Sequence, residues 1–160
     1  MIIKKMKTKY RKDRSVALMK ETICDYTGCT GTSKSEKLNT PEQIADMLNS
    51  VFDLQNETEE YVYLLCFNTA MKLIGIFELS HGTINASICS TRDIFMKALL
   101  CNAKNIIIAH NHPSGDTTPS SEDIEIARRI QEASLIMDIS FCDSIIIGTG
   151  YCSLKEQGIF

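Results

Sequence analysis

The chain has 160 residues, of which 44% are hydrophobic and 23% are charged, and its formal net charge is −3. This length suits a single domain that buries about two thirds of the surface of the unfolded chain. No apolar run approaches the roughly 20 residues of a membrane span. Residues 1–3 are too short an apolar stretch for the core of a signal peptide, so we expect a cytoplasmic protein without a membrane partner.

The first 20 residues are strongly basic. They contain eight Lys and Arg residues and one Asp, a net charge of +7, which leaves −10 for the rest of the chain. We predict an N-terminal basic arm and linker over residues 1–39 and one domain over residues 40–160. The arm is strand-like or loosely ordered, and residues 21–39, rich in Thr, Ser, Gly and Cys, form a loop. A basic arm could contact nucleic acid, but a Lys-rich edge strand or a solvated tail is the simpler interpretation.

The seven cysteines indicate no disulfide framework, because their number is odd and their spacing irregular. Several lie in apolar runs, where a free cysteine behaves as a small hydrophobic residue. In a cytoplasmic protein they are most simply reduced thiols. Cys24 and Cys29 could be half of a metal site, but no second Cys or His pair lies near them in the sequence.

The predicted elements after residue 39 alternate between helices and strands. Thr40-Pro41-Glu42-Gln43 begins a helix that runs to about Leu54. Residues 61–67 form a buried strand, residues 68–71 a turn and residues 72–79 the next strand, and Gly82 interrupts the sheet before it continues over residues 83–88. Ser90 or Thr91 caps a second helix that ends near Cys101.

The second half of the domain repeats this alternation. Residues 105–109 are a short apolar run typical of a buried strand. Ser120 caps a long helix, residues 141–147 form a late strand, and residues 148–150 turn the chain. A hairpin followed by helix–strand–helix–strand predicts an α/β fold with a mixed sheet flanked by helices.

The residues that indicate a chemical function follow the predicted strand at residues 105–109. It reads His-x-His, then Ser-x-x-Asp, with His110, His112, Ser120 and Asp123. Strand alternation places His110 and His112 on one side, where they could share one metal ion, and Asp123 could supply a third ligand. Three protein ligands leave one position open, as in a catalytic zinc site.

Each part of this segment also has a purely structural interpretation. Ser120 could be only a helix cap, residues 113–116 only a turn, and the histidines ordinary strand-end residues. Because all the parts fall at one strand-to-helix junction, the combination favours the metal site.

The complete pattern resembles the JAMM motif of the JAB/MPN metalloprotease domain and, more specifically, the RadC family. The resemblance covers about residues 40–160. Its further matches are residues 82–87, which resemble the family's hairpin, residues 93–98, which resemble its following helix, and residues 109–116, 118–120 and 122–125. Asp143, residues 145–148, residues 153–156 and Gly158 resemble its C-terminal end.

The family resemblance implies a fold like that of the cytidine deaminases and one zinc ion per chain. Deaminase chemistry itself is not indicated, because His112 stands where a deaminase has Glu, and no Cys-x-x-Cys pair exists. The resemblance also implies a Glu general base on an earlier strand. Glu60 is the best match, with Glu59 and Glu78 as alternatives. The family's motif serine implies that Ser120 donates to an oxyanion.

One departure from the family pattern concerns the late strand, where RadC-like chains usually have Asp-His and this chain has Asp143-Ser144.

Three hypotheses for function follow. The first is a zinc-dependent JAMM-type peptidase or isopeptidase acting on a peptide or protein substrate. The second is a DNA-repair-associated nucleic-acid-binding module, and the third is a pseudoenzyme that binds a partner and holds a structural metal.

Overall fold

The computed structural model describes residues 2–10, 12, 16–25, 38–82 and 90–160. Within these residues seven strands form one mixed sheet in the order β2-β1-β4-β3-β5-β6-β7, which confirms the predicted α/β class. The strands are β1 (Ile2–Tyr10), β2 (Val16–Asp25), β3 (Tyr61–Phe67), β4 (Leu73–His81), β5 (Asn105–Asn111), β6 (Ser140–Ile147) and β7 (Tyr151–Ser153). The helices are α1 (Pro41–Phe52), α2 (Thr91–Leu100), α3 (Ser121–Met137) and a short 3-10 helix (Leu54–Asn56).

Strands β3 and β5 lie at the centre of the sheet; β3 is almost wholly apolar, and β5 contains the apolar run 106–109. They pair antiparallel, and β5 then pairs parallel with β6, a connection that runs through α3. Continuous apolar runs are expected where both faces of a sheet are covered. Ile106 and Ile108 pack on the face that α2 and α3 cover, whereas Ile107 and Ala109 pack on the α1 face. This alternation decides which face of β5 carries the functional side chains.

The basic N-terminal residues join the sheet as the hairpin β1–β2. Strand β1 lies beside β4, and β2 is the outer strand, in agreement with the expected strand-like character of this region. Lys5 Nζ lies 2.5 Å from Glu78 Oε2, and Ile3 and Met6 are buried. Gly75 leaves the space that Met6 fills, since a Cβ at Gly75 would lie only 2.2 Å from the Met6 sulfur.

The loop predicted from residue 21 onwards is wrong for residues 21–25, which belong to β2. Their pairing with β1 reaches Asp25 opposite Ile2, so the partner strand imposes an extended conformation on a stretch without hydrophobic periodicity. Cys29, most of the predicted linker, and the strand predicted over residues 83–88 lie outside the described residues. The boundary proposed between residues 39 and 40 stays a prediction.

The local signals at the starts of α1 and α3 are confirmed, whereas Ser90 occupies the N-cap position of α2 without a side-chain capping bond. Thr40 caps α1 by accepting from the Gln43 N–H, and Pro41 occupies the first helical turn. The Gln43 side chain accepts from the Asn39 N–H, one residue earlier than a complete capping box requires. Strand β5 runs two residues further than expected, and no pattern in the sequence indicates β7. Among the residues that the structure describes, no helix is long and apolar enough to cross a membrane.

Candidate metal centre

The end of β5 brings the two motif histidines together. His110 is the penultimate residue of β5, and His112 follows the strand directly. Their Nε2 atoms lie 3.2 Å apart, and the two rings are tilted with centroids 5.0 Å apart. The alternation of side chains along an extended chain therefore places both imidazoles on one side, as the spacing predicted.

Asp123 reaches the same point from the first turn of α3. Its Oδ1 lies 3.1 Å from His110 Nε2, and its Oδ2 lies 3.5 Å from His112 Nε2. The side chains of His110 and Asp123 are only 5% and 7% exposed. Three ligand atoms from two elements therefore converge in a largely buried position.

Ser120 fixes the carboxylate of Asp123. The Ser120 hydroxyl donates to Asp123 Oδ2 over 2.6 Å, and the Ser120 N–H donates to the same oxygen over 2.8 Å. In return the Ser120 oxygen accepts from the Asp123 N–H, which completes a capping box with Asp at its third position. In this structure Ser120 thus caps α3 and orients Asp123, and its role as an oxyanion donor stays a prediction.

The free nitrogen of His112 is also fixed. His112 Nδ1 lies 2.7 Å from the backbone oxygen of Asp116, to which it donates, so Nε2 is the nitrogen left to face His110 and Asp123. Among the polar groups near the motif, the carbonyl of Asp116 makes this contact. The Asp143 carboxylate instead accepts from Ser153 and from the N–H groups of Ser144 and Lys155.

The loop that carries Asp116 is held against the turn after β6. Thr149 donates to the Gly115 carbonyl through both its N–H and its hydroxyl, and the His112 N–H donates to the Ile147 carbonyl. Gly148 permits this approach, since a Cβ there would lie 2.4 Å from the Gly115 oxygen. From the sequence Gly148 is predicted only as a turn residue, because nothing local indicates which loop packs on it.

Glu60 is the predicted base that lies at the site. It immediately precedes β3, and its Oε1 lies 3.8 Å from His110 Nε2, with the side chain 20% exposed. Burial raises the pKa of its carboxyl above the ordinary value, although the neighbouring histidines oppose this. Glu59 is exposed.

Glu78, the remaining alternative, is engaged elsewhere. It contacts Lys5 at 2.5 Å and His81 at 3.0 Å. Burial opposes its ionisation, but these two hydrogen bonds outweigh burial and hold its pKa below the ordinary value. Of the three carboxylates that the sequence offered, Glu60 is therefore placed best to act beside the histidines.

The electrostatics of the group suit a cation. Burial raises the pKa of the Asp123 carboxyl, but its contacts with His110, His112 and Ser120 outweigh burial and hold the pKa well below the ordinary value. The contact with Asp123 also raises the pKa of His112. The anionic Asp123 carboxylate thus favours a positive charge at the point where it faces the two imidazoles.

The spacing of the donor atoms fits a metal ion. Glu60, His110 and His112 each offer a ligand atom within 4.8 Å of the others, so this group could hold a metal. Asp123 lies nearer to the histidines than Glu60 does. Ligands of a tetrahedral zinc at about 2.0–2.1 Å would lie about 3.3 Å apart. The contacts among His110, His112 and Asp123, between 3.1 and 3.5 Å, match that spacing, although the two imidazoles face different oxygens of Asp123.

Ser144, the departure from the family pattern, is buried in β6 beside the motif strand. It lies opposite Ile108, whereas Ile146 is the residue opposite His110. Its N–H donates to Asp143, and its carbonyl accepts from the Leu154 N–H. Ser144 therefore helps to hold the C-terminal segment in place. It lies two residues before Ile146, the residue opposite the candidate ligand His110.

Comparison with known proteins agrees with the site. Residues 38–159 match the family model of the RadC-like JAB domain. The chain is 39% identical over 127 residues to a UPF0758 protein of Clostridium acetobutylicum, an alignment that covers 79% of this chain and 55% of the relative. It is 46% identical over 102 residues to a UPF0758 protein of Clostridium tetani, covering 63% of this chain and 45% of the relative. The chain thus spans about half the length of these curated relatives, and it belongs to the RadC-like JAB domain family.

Proposed function

We propose that the chain is a zinc-dependent hydrolase of peptide or isopeptide bonds, with His110, His112 and Asp123 as ligands and Glu60 as general base. The observation that carries the proposal is the convergence of two imidazole Nε2 atoms and the Asp123 carboxylate within 3.5 Å, with the Glu60 carboxylate beside them. Two nitrogens and one carboxylate suit zinc better than magnesium or calcium.

The role of each residue follows from the position of its side chain. When bound, zinc activates a water molecule and polarises the scissile carbonyl. Glu60, outside the three-ligand set, accepts the proton of the attacking water and passes it to the leaving amine. Ser120 keeps the Asp123 carboxylate oriented. If its hydroxyl turned away from Asp123, it would donate to a developing oxyanion, as the family's motif serine implies. The Asp116 carbonyl holds His112 in the tautomer that leaves Nε2 free.

The test is cleavage of a proteome-derived peptide mixture by the zinc-loaded chain, followed by mass spectrometry. We expect defined new termini with the wild type and a loss of at least about 100-fold in rate with Glu60→Gln, since Gln keeps the shape but cannot take a proton. Zinc content should be the same in both proteins. Glu59→Gln is the matched control, because Glu59 is exposed and should leave the rate unchanged.

Two outcomes would contradict the proposal. Full activity of Glu60→Gln together with an inactive Glu78→Gln would move the base to Glu78. An absence of cleavage by a zinc-loaded wild type would favour a binding protein with a structural metal.

A further inference from the structure

Asn111 stands between the two motif histidines and is completely buried. A buried amide needs partners for both its oxygen and its nitrogen. Asn111 Oδ1 accepts from the Tyr61 N–H over 2.8 Å, and Asn111 Nδ2 donates to the Glu59 carbonyl over 3.0 Å. Both partners are backbone groups, and they belong to the two residues on either side of Glu60.

These side-chain contacts continue the hydrogen bonding between β3 and β5 beyond the last backbone pair. The last backbone partners between β3 and β5 are Val62 and His110. Beyond them the Asn111 side chain supplies one carbonyl and one N–H group, as a peptide unit would. On the other side the Gly82 N–H donates to the Glu60 carbonyl over 3.0 Å, and Tyr61 pairs with His81 of β4. The backbone of Glu60 is thus held from both neighbouring strands.

We infer that Asn111 is a positioning residue, which holds the backbone around Glu60 so that its carboxylate faces the metal site. The inference rests on the proposed role of Glu60 and assigns to Asn111 no contact with the metal or substrate. An isosteric Asp would still accept from Tyr61 but could not donate to the Glu59 carbonyl. In this motif the two histidines are the metal ligands, and Asn111 between them positions the base on the neighbouring chain segment.

The test measures the affinity of the metal-depleted chain for Co²⁺ by competition with a chromophoric chelator. Removing a group that contacts the sphere of metal ligands typically weakens binding about 10-fold. We expect such a loss with Glu60→Ala and a similar loss with Asn111→Ala. Because Asn111 acts through Glu60, the double variant should bind no more weakly than Glu60→Ala alone. Asn111→Asp should weaken binding as Asn111→Ala does.

Asn105→Ala is the matched control. Asn105 lies at the other end of β5, where its Nδ2 donates to the Asn68 carbonyl over 2.8 Å, so it also ties this strand to backbone. It should leave the Co²⁺ affinity unchanged, and thermal unfolding should verify that each variant is folded.

The inference is overturned if the losses from Glu60→Ala and Asn111→Ala multiply in the double variant, or if either single variant binds Co²⁺ normally. It is also overturned if neither Asn111→Ala nor Asn111→Asp folds, since Asn111 would then serve the fold as a whole. These outcomes do not depend on hydrolysis. Failure of the wild type to cleave peptides would contradict the proposed function while leaving this experiment able to decide the role of Asn111.

Discussion

Asp123 is the residue on which the candidate centre depends most. It contacts both imidazoles and accepts twice from Ser120, although it is almost completely buried. A buried carboxylate without such partners would be costly, so its charge requires compensation at this point. Without a metal, a proton on His112 contributes to the compensation, and metal binding must displace that proton.

This exchange predicts how stability depends on pH. The folded pKa of Asp123 lies below its ordinary value of 3.8, so its contribution is present above that value and is lost as the pH falls through the folded pKa. The folded pKa of His112 lies above 6.5, so its contribution is present below 6.5 and is lost as the pH rises through the folded pKa. Chelator-treated protein should therefore lose stability as the pH rises from 6.5 through the folded pKa of His112.

Thermal unfolding at about pH 5.5 and about pH 8.5 measures this effect, with and without zinc. Zinc needs deprotonated imidazoles, so the stabilisation by zinc should be larger at the higher pH. In Asp123→Asn without metal, the contribution of His112 to the pH dependence of stability should disappear. If the thermal stability of Asp123→Asn changed with pH as that of the wild type does, groups other than Asp123 and His112 would cause the effect.

At the scale of elements, the site lies where the end of β5, the first turn of α3 and the residue before β3 meet. The loop between β5 and α3 carries His112 and is held by the turn at residues 148–150. Gly148→Ala would place a Cβ 2.4 Å from the Gly115 oxygen. Because that neighbour is backbone, the loop must move, and we expect weaker zinc binding and a loss of about 1–3 kcal/mol in stability.

Gly150→Ala is the control for this prediction, since a Cβ at Gly150 meets nothing within 4 Å. Zinc titration and chemical denaturation of both variants check it. Equal behaviour of the two variants would show that the close packing of Gly148 on Gly115 does not hold the His112 loop.

The N-terminal hairpin is the element whose role the sequence left open. Removal of residues 1–25 would uncover β4 and the space beside Gly75 that Met6 fills. We expect lower thermal stability and concentration-dependent association, because unpaired backbone groups would be exposed, while zinc content stays unchanged. Unfolding and light scattering of the truncated chain measure this. Tight, salt-sensitive binding of duplex DNA by the full chain, lost on truncation without loss of stability, would favour a nucleic-acid contact instead.

Local features of the sequence predicted much of this arrangement. The apolar run before His110 indicated a central strand, alternation placed His110 and His112 together, and Ser120 marked the start of α3. The missed features all depend on which distant segments become neighbours. Asn111 contacts residues about 50 positions earlier in the chain, Gly148 contacts Gly115, and residues 21–25 extend β2 because β1 lies beside them. No local pattern reports such partners.

At the scale of the whole molecule, the sheet is covered by α1 on one face and by α2 and α3 on the other. The candidate ligands lie at the end of its central strands, supported by elements from both halves of the 38–159 region. The site is therefore assembled only in the folded domain, and a metal bound there should stabilise the fold as a whole.

The most direct test of the metal centre is elemental analysis of protein purified without chelator. We expect about one zinc per wild-type chain. We expect almost none in a folded His110→Ala, His112→Ala double variant, which lacks both imidazole ligands. Unchanged zinc content in that double variant would contradict the assignment of the centre.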